Sequence, residues 1–450
     1  MLRRAWDDIW VRRAMLAAFF LRVLPMVVWN SKPCVRDECT YEDIAQSLMM
    51  GDGMIGTQGW LWAPAYPSLM AVHGIVTGLP RTIQVTQLAV SMLMVAMLFQ
   101  LATQLHDRRS GRIAAWAYAI NPTYAFYATS QWSETLYAAL LCGAVMALGW
   151  AREGSWRRAW LPGFLVGSCV LFRGVATYLL PIFLIGLLWE RVRHSDAWRA
   201  AALCALTAAL TVAPYSAYAT HKFGGTVISD RTMGQMMWLG NNDFPPVTFD
   251  WGNGVLRKRH YNRLLQLGRP HCKFTANPVL QDACETANGI QWIKDNPEEF
   301  ARRIPMRVAQ MFNPHSFLSR HLRWGRWTGM PDLIKEGLLG AVVLFSFGTL
   351  VGGTVGMAAR GRGWYAVTAS LIVLYHVGAI AMLAGLTRYR VPLEPLWLVM
   401  AAPFFADRSG VLRELFSSRW RTASAFVVCT GLIGFMMVYL PSAWPEWVAW

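Results

Sequence analysis

Acidic groups at the edge of an apolar segment are costly and usually have a task, and few carboxylates in this sequence stand in such a place. Asp37 and Glu38 immediately precede a stretch of helical period, so their carboxylates lie near its N-terminal amides. Such a pair either simply starts a helix or supplies a base that takes a proton from a hydroxyl. The context favours chemistry: the pair lies in a short loop between Cys34 and Cys39, aromatic residues and prolines follow, and no soluble domain is left to hold an active site. Glu134 is the second candidate, opening an apolar stretch after Asn121-Pro-Thr-Tyr-Ala-Phe-Tyr-Ala-Thr-Ser-Gln-Trp-Ser133. Ser130 is followed three residues on by Ser133, which excludes a capping box. Ser133 as a plain N-cap, with Glu134 favouring the helix dipole, stands beside a functional reading. Arg173, Arg388 and Arg390 break the charge pattern of the short loops that hold them. Each either snorkels to lipid headgroups or binds an anion, and phosphate suits the planar fork of arginine best.

The elements that must position these groups are membrane helices. The 450 residues are 55% hydrophobic and 15% charged, against about 25% charged in an average soluble domain. Disorder, collagen and coiled coil are excluded. Apolar blocks near residues 14–29, 84–105, 112–128, 134–150, 159–172, 174–189, 200–219, 336–358, 363–384, 391–406 and 423–440 give about 11 spans of an all-α polytopic protein. The first block has a basic flank but no small-residue cleavage site after it, so it is expected to stay as a helix. Arginines cluster in alternate loops, at 108–112, 152–158, 191–199, 360–362 and 408–421, which makes that side cytoplasmic.

On the opposite side lie an acidic loop, 30–65, and a long one, 220–335, with 16 Lys/Arg against 9 Asp/Glu. These divide the chain into an N-terminal membrane module, 1–219, a cap loop, 220–335, and C-terminal membrane helices, 336–450. In the first loop Tyr41, Ile44, Ala45, Leu48 and Met49 fall on one helical face behind Thr40, with Asp43 three residues on, predicting an amphipathic surface helix. The segment from Trp60 leads into an apolar run of about a dozen residues ending at Val76, too short for a full span and expected to be interfacial or re-entrant. The long loop has a turn-rich half, 224–254, and a helical half, 279–312, with breaks expected at Pro297 and Pro305. Cys34 with Cys39 and Cys272 with Cys284 fall in the outer loops and are either two disulfides or free thiols. Cys142, Cys169, Cys204 and Cys429 lie in apolar blocks, as packing residues.

Nucleotide loops, HExxH and CxxC are absent, and the histidines are scattered. The net charge of +16 belongs largely to the inner loops as an orientation signal, so nucleic-acid binding is rejected.

The order Arg36-Asp-Glu-x-x-Tyr41-x-x-Ile44-Ala45-x-x-Leu48-x-x-Gly51, then Trp62-Ala-Pro-Ala-Tyr-Pro, resembles the first outer loop of the GT-C membrane glycosyltransferases. The branch it is most similar to includes the bacterial lipid A aminoarabinose transferase and relatives of the protein O-mannosyltransferases. Asn121-Pro, Ser133-Glu134, Phe172-Arg173 and Arg388-Tyr-Arg-Val-Pro392 are similar to later landmarks, as far as about residue 405. The resemblance implies transfer of a sugar from a polyprenyl-phosphate donor to a lipid, glycan or protein acceptor, outside the bacterial inner membrane. It implies Asp37 as base or acceptor-orienting group beside Glu38, Glu134 as a second acid, and Arg173, Arg388, Arg390 and Tyr41 around the lipid phosphate and donor. No cofactor is required by it, although a divalent metal stays open. Three features depart from the pattern: Ala63-Pro-Ala-Tyr-Pro for Pro-Pro-x-x-Pro, Gly174 for Pro after Arg173, and no matching phosphate-binding Lys. Aminoarabinose is therefore not the implied donor. The rivals are a flippase or transporter of a lipid-linked glycan, which would use the same charges as a path, and an oligosaccharide ligase or polymerase in which Asp37 is dispensable.

Overall fold

A computed structural model of the chain describes residues 5–31, 34, 37–54, 61–243, 272, 277–323, 325–361, 363–383 and 385–442. Nineteen α-helices account for nearly all of it. The first, α1 (Ile9–Val28), starts on Asp8, whose carboxylate accepts the Trp10 amide at 3.0 Å. An excursion follows, comprising β1 (Asn30–Ser31), α2 (Asp37–Met50) and α3 (Ala65–Thr77). The chain continues through α4 (Ile83–Leu105), α5 (Arg108–Ile120), α6 (Pro122–Thr129), α7 (Glu134–Arg152), α8 (Trp160–Phe172), α9 (Leu180–Leu188) and α10 (Ser195–Phe223). A second excursion holds α11 (Met233–Gly240), α12 (Pro278–Asp295), α13 (Pro297–Met311), α14 (Phe317–Arg323) and β2 (Trp327–Thr328). The last helices are α15 (Asp332–Arg360), α16 (Trp364–Met382), α17 (Glu394–Ala406), α18 (Arg408–Phe416) and α19 (Arg419–Ser442).

All eleven apolar blocks are helical. Among the described residues, six helices are long and apolar enough to cross a membrane by themselves: α4 with its preceding turn, α7, α10, α15, α16 and α19. The protein is an integral membrane protein. Block 112–128 is not one helix but two. Asn121 leaves helical geometry and its side chain accepts the Thr123 amide at 2.9 Å, with Pro122 in the first-turn position that costs no hydrogen bond. The carbonyls freed at the end of α5 are met by a buried cation. Arg22 of α1 donates to Ala119 O at 2.8 Å and Tyr118 O at 3.4 Å, and to Ser91 Oγ at 2.8 Å.

Small residues set the tightest helix contact. A side chain at Gly356 would bring its Cβ within 1.9 Å of Met400 O, and one at Gly353 within 2.6 Å of Trp397 O, so α15 can lie against the backbone of α17 only through glycine. Helix α8 packs on α10 and α7, α4 on α5, and α2 on α3. All but the last of these pairs enclose an apolar core running from Ala5 to Met436, whereas α2 and α3 pack around a smaller cluster of their own that includes Tyr41, Ala45, Tyr66 and Met70.

Two details differ from expectation. The surface helix begins at Asp37 rather than at Thr40, because the Cys34–Cys39 disulfide and the partners of Glu38 hold an extra turn at its acidic start. Pro297 starts α13, but Pro305 lies inside it without breaking it. Cys272 and Cys284 are also bonded to each other. The apolar run after Trp62 forms α3, 13 residues long. Residues 55–60, and 244–254 of the turn-rich half, lie outside the described residues.

Candidate active site

Two short antiparallel contacts clamp the two excursions together. Asn30 and Ser31 pair with Thr328 and Trp327, and the Arg231 amide donates to Leu61 O at 2.7 Å. Beside the first clamp, Arg326 donates both terminal nitrogens to Glu38, at 2.7 and 3.0 Å, and the Gln131 amide donates to the same carboxylate at 2.9 Å. Glu38 is fully buried. Its preceding neighbour is thereby turned the other way, into a cluster of charges drawn from four distant parts of the chain.

At the centre of the cluster is Arg388, in a 3-10 turn ahead of α17. Its Nε donates to Glu134 Oε1 at 2.5 Å, and its Nη1 pairs with Asp37 Oδ2. Arg173, at the end of α8, reaches the same Glu134 oxygen at 2.7 Å. The Arg388 guanidinium lies 4.1 Å from the centroid of the Trp132 ring, and Arg173 lies 5.8 Å from those of Tyr137 and Tyr389. Glu134 is fully buried and its Oε2 has no hydrogen-bond partner among the described residues, whereas Asp37 keeps 20% of its side chain exposed. Burial opposes the charge on Arg388, but Glu134 and Asp37 outweigh it and hold the guanidinium well above its ordinary value. Tyr41 of α2 sits in the same group, within hydrogen-bond reach of Ser133 and edge-on to Trp62 and Tyr66.

Asp37, Glu134, Arg173, Arg388 and Tyr41 thus come together, and Glu38 and Arg390 do not. Arg390 is buried on the far side of its turn. It donates to Glu394 at 2.6 Å, to Asn313 O at 2.9 Å and to Ser346 Oγ at 3.2 Å, so it ties α17 to the segment before α14 and to α15. Ser133 is not a plain N-cap: its side chain makes no capping bond, and its hydroxyl faces Arg173 at 3.4 Å.

Sequence reasoning missed Arg326, Trp132 and Asp230. The half-buried Asp230 lies against Gly174, where an added Cβ would meet Asp230 Oδ1 at 2.0 Å. It is also held by Thr232 at 3.0 Å. Glycine after Arg173 thus gives room to a carboxylate. Burial pushes the Asp230 carboxyl up to about 6; Asp282 adds to the rise, while Thr232, the Gly174 amide and Arg173 offset part of it.

A divalent metal does not fit this donor set. Asp37 and Glu134 share Arg388, Glu134 also holds Arg173, and among the described residues no three His, Cys, Asp or Glu side chains converge. A cation placed there would share its ligands with two guanidiniums.

No family model matches the chain, and no curated protein matches it. Solved structures do match its fold. The oligosaccharyltransferase AglB from Archaeoglobus fulgidus, in complex with an inhibitory peptide and a dolichol-phosphate, superposes with a TM-score of 0.52 at 15% identity, over 97% of this chain and 56% of that one. The same oligosaccharyltransferase tethered to an acceptor peptide containing the NVT sequon gives 0.51 at 15% identity, over 96% and 54%. ArnT from Cupriavidus metallidurans bound to undecaprenyl phosphate gives 0.43 at 12% identity, over 90% and 78%. The chain spans little more than half the length of the archaeal protein. Its fold is similar to that of the archaeal oligosaccharyltransferase AglB.

Proposed function

We propose that this protein is a membrane glycosyltransferase that moves a sugar from a polyprenyl-phosphate donor to a hydroxyl acceptor at the outer face of the bacterial inner membrane. The observation that carries the reading is the convergence of Asp37, Glu134, Arg173 and Arg388 at one end of the helix bundle. The fold shared with AglB, whose complex holds a dolichol-phosphate, supports it, and the arginine-rich loops at the other end favour an outward-facing site.

Arg388 neutralises Asp37 while no phosphate is bound. A donor phosphate competes for that guanidinium, and the partly exposed Asp37 carboxylate is released as a base. Asp37 then takes the proton of the acceptor hydroxyl as its oxygen attacks the anomeric carbon. The bond between that carbon and the phosphate oxygen breaks, and Arg388, backed by Arg173, stabilises the charge on the departing lipid phosphate. Inversion at the anomeric carbon follows from attack opposite the leaving group. Glu134 holds both arginines in place. Tyr41 and Trp132 wall the site.

The experiment is transfer of labelled sugar from a panel of polyprenyl-phosphate donors by the purified protein in lipid nanodiscs. Turnover with one donor, abolished by Asp37→Asn, supports the reading. Movement of a lipid-linked glycan across the bilayer without any transfer would replace it with a transporter.

A further inference from the structure

A second polar site lies at the opposite end of the bundle. Gln87, near the start of α4, donates to Ser130 O at 2.6 Å, four residues before Glu134. His106, at the end of the same helix, is 19 residues further on, about 28 Å along the axis. There a cavity of 520 Å³ is lined by Leu105, His106, Ala359, Arg360, Glu414 and Arg421, a volume within the usual range of small-ligand sites. No group of the Asp37 cluster reaches it.

The lining has a definite chemistry. Arg360 Nε is paired with Glu414 Oε2 at 2.9 Å, and Arg421 Nη1 donates to Ala359 O at 2.8 Å, which fixes both guanidiniums at the cavity wall. His106 lines the cavity, and its buried Nε2 has no hydrogen-bond partner among the described residues. Burial, reinforced by Arg360, pushes the imidazole down to about 4, so it stays neutral. The guanidiniums of Arg421 and Arg360, the latter shared with Glu414, suit an anion that accepts forked hydrogen bonds, and an orphaned ring nitrogen calls for a hydroxyl.

We infer that this cavity binds a hydroxyl-bearing phosphate, with the phosphate on Arg421 and Arg360 and a neighbouring hydroxyl hydrogen-bonded to His106 Nε2. The same chemistry is offered by a polyol-phosphate lipid headgroup entering from the adjacent leaflet and by a soluble polyol or sugar phosphate. Leu105 and Ala359 supply the apolar wall that a glycerol backbone would cover. The site is independent of the transfer chemistry.

The test titrates sn-glycerol 3-phosphate and inorganic phosphate into the purified full-length protein by calorimetry, and counts phosphatidylglycerol retained from mixed phosphatidylglycerol and phosphatidylcholine nanodiscs by native mass spectrometry. In the wild type, glycerol 3-phosphate should bind about fivefold more tightly than phosphate, the worth of one hydrogen bond. His106→Phe should erase that preference and leave phosphate binding intact, and Arg421→Ala should weaken both ligands by about tenfold or more. Arg360→Gln reads the same loss should Arg421→Ala fail to fold. Retention of one phosphatidylglycerol that glycerol 3-phosphate cannot displace would identify the ligand as a lipid, and binding of the soluble ester alone would identify a metabolite. Absence of binding by both probes and by phosphatidylglycerol, or arginine variants that bind like the wild type, would overturn the inference.

Discussion

At the scale of single residues, two adjacent carboxylates have opposite fates. Glu38 is locked in a bidentate pair with Arg326, and Asp37 shares Arg388 with Glu134. Glu38→Gln leaves Arg326 buried without a counter-charge, a loss of about 3–5 kcal/mol. It should therefore lower the unfolding temperature sharply, while the fraction that folds keeps its transfer rate; a stable variant with lost transfer would move Glu38 into the chemistry. Asp230 makes a second prediction. Its pKa is raised to about 6, above that of an unfolded aspartate, so between those values the folded state holds more protons and stability falls as pH rises towards 6. The groups facing Asp230 are Arg173, Tyr215, Thr232 and Asp282. Asp230→Asn should flatten this slope and stabilise the protein above pH 6; thermal unfolding curves between pH 4 and 8 that match the wild type would contradict it.

At the scale of elements, the break between α5 and α6 brings Trp132 and Glu134 to the site. Asn121 caps α6 and is buried, so Asn121→Ala should cost about 1–2 kcal/mol. That would be seen as a lower unfolding midpoint, and an unchanged midpoint would show that Arg22 and Pro122 suffice. Hydrophobic blocks and prolines made most helices legible in the sequence, because burying about 20 apolar residues leaves a run that needs no partner to be recognised. The break at Asn121 was harder to see, since the apolar run continues through it and its compensation comes from Arg22, nearly 100 residues earlier. Asp37, Glu134, Arg173 and Arg388 were recognisable as charges at helix ends in an apolar chain. Arg326 was not, because it lies in a cap rich in arginine where nothing local marks the one that faces Glu38. Arg390 was misleading for the converse reason: it shares a motif with Arg388, but the turn between them sends the two side chains to opposite sides.

At the scale of the whole molecule, the bundle has two chemically distinct ends. One carries the Asp37 cluster beneath the clamped excursions, and the other carries the arginine-rich turns and the His106 cavity. From the distribution of basic residues we propose that the second end faces the cytoplasm. This is checked by labelling with a membrane-impermeant maleimide in a Cys429→Ser background, the remaining cysteines being bonded or buried. A cysteine at Met50, at the end of α2 in the first excursion, should react in intact spheroplasts, and one at Trp420 only after permeabilisation; both positions are exposed in the fold. The reverse pattern would turn the proposed site inward.

The central claim is that Asp37 is the base of a sugar transfer in which Arg388 takes the donor phosphate. It is tested most directly by single-turnover transfer from a saturating polyprenyl-phosphate sugar, wild type beside Asp37→Asn, with donor binding measured in parallel. The account predicts a rate lower by about 10²–10⁴-fold with donor binding preserved, since the substitution removes a base and frees Arg388 for phosphate. A variant that folds, binds donor and transfers at the wild-type rate would contradict it.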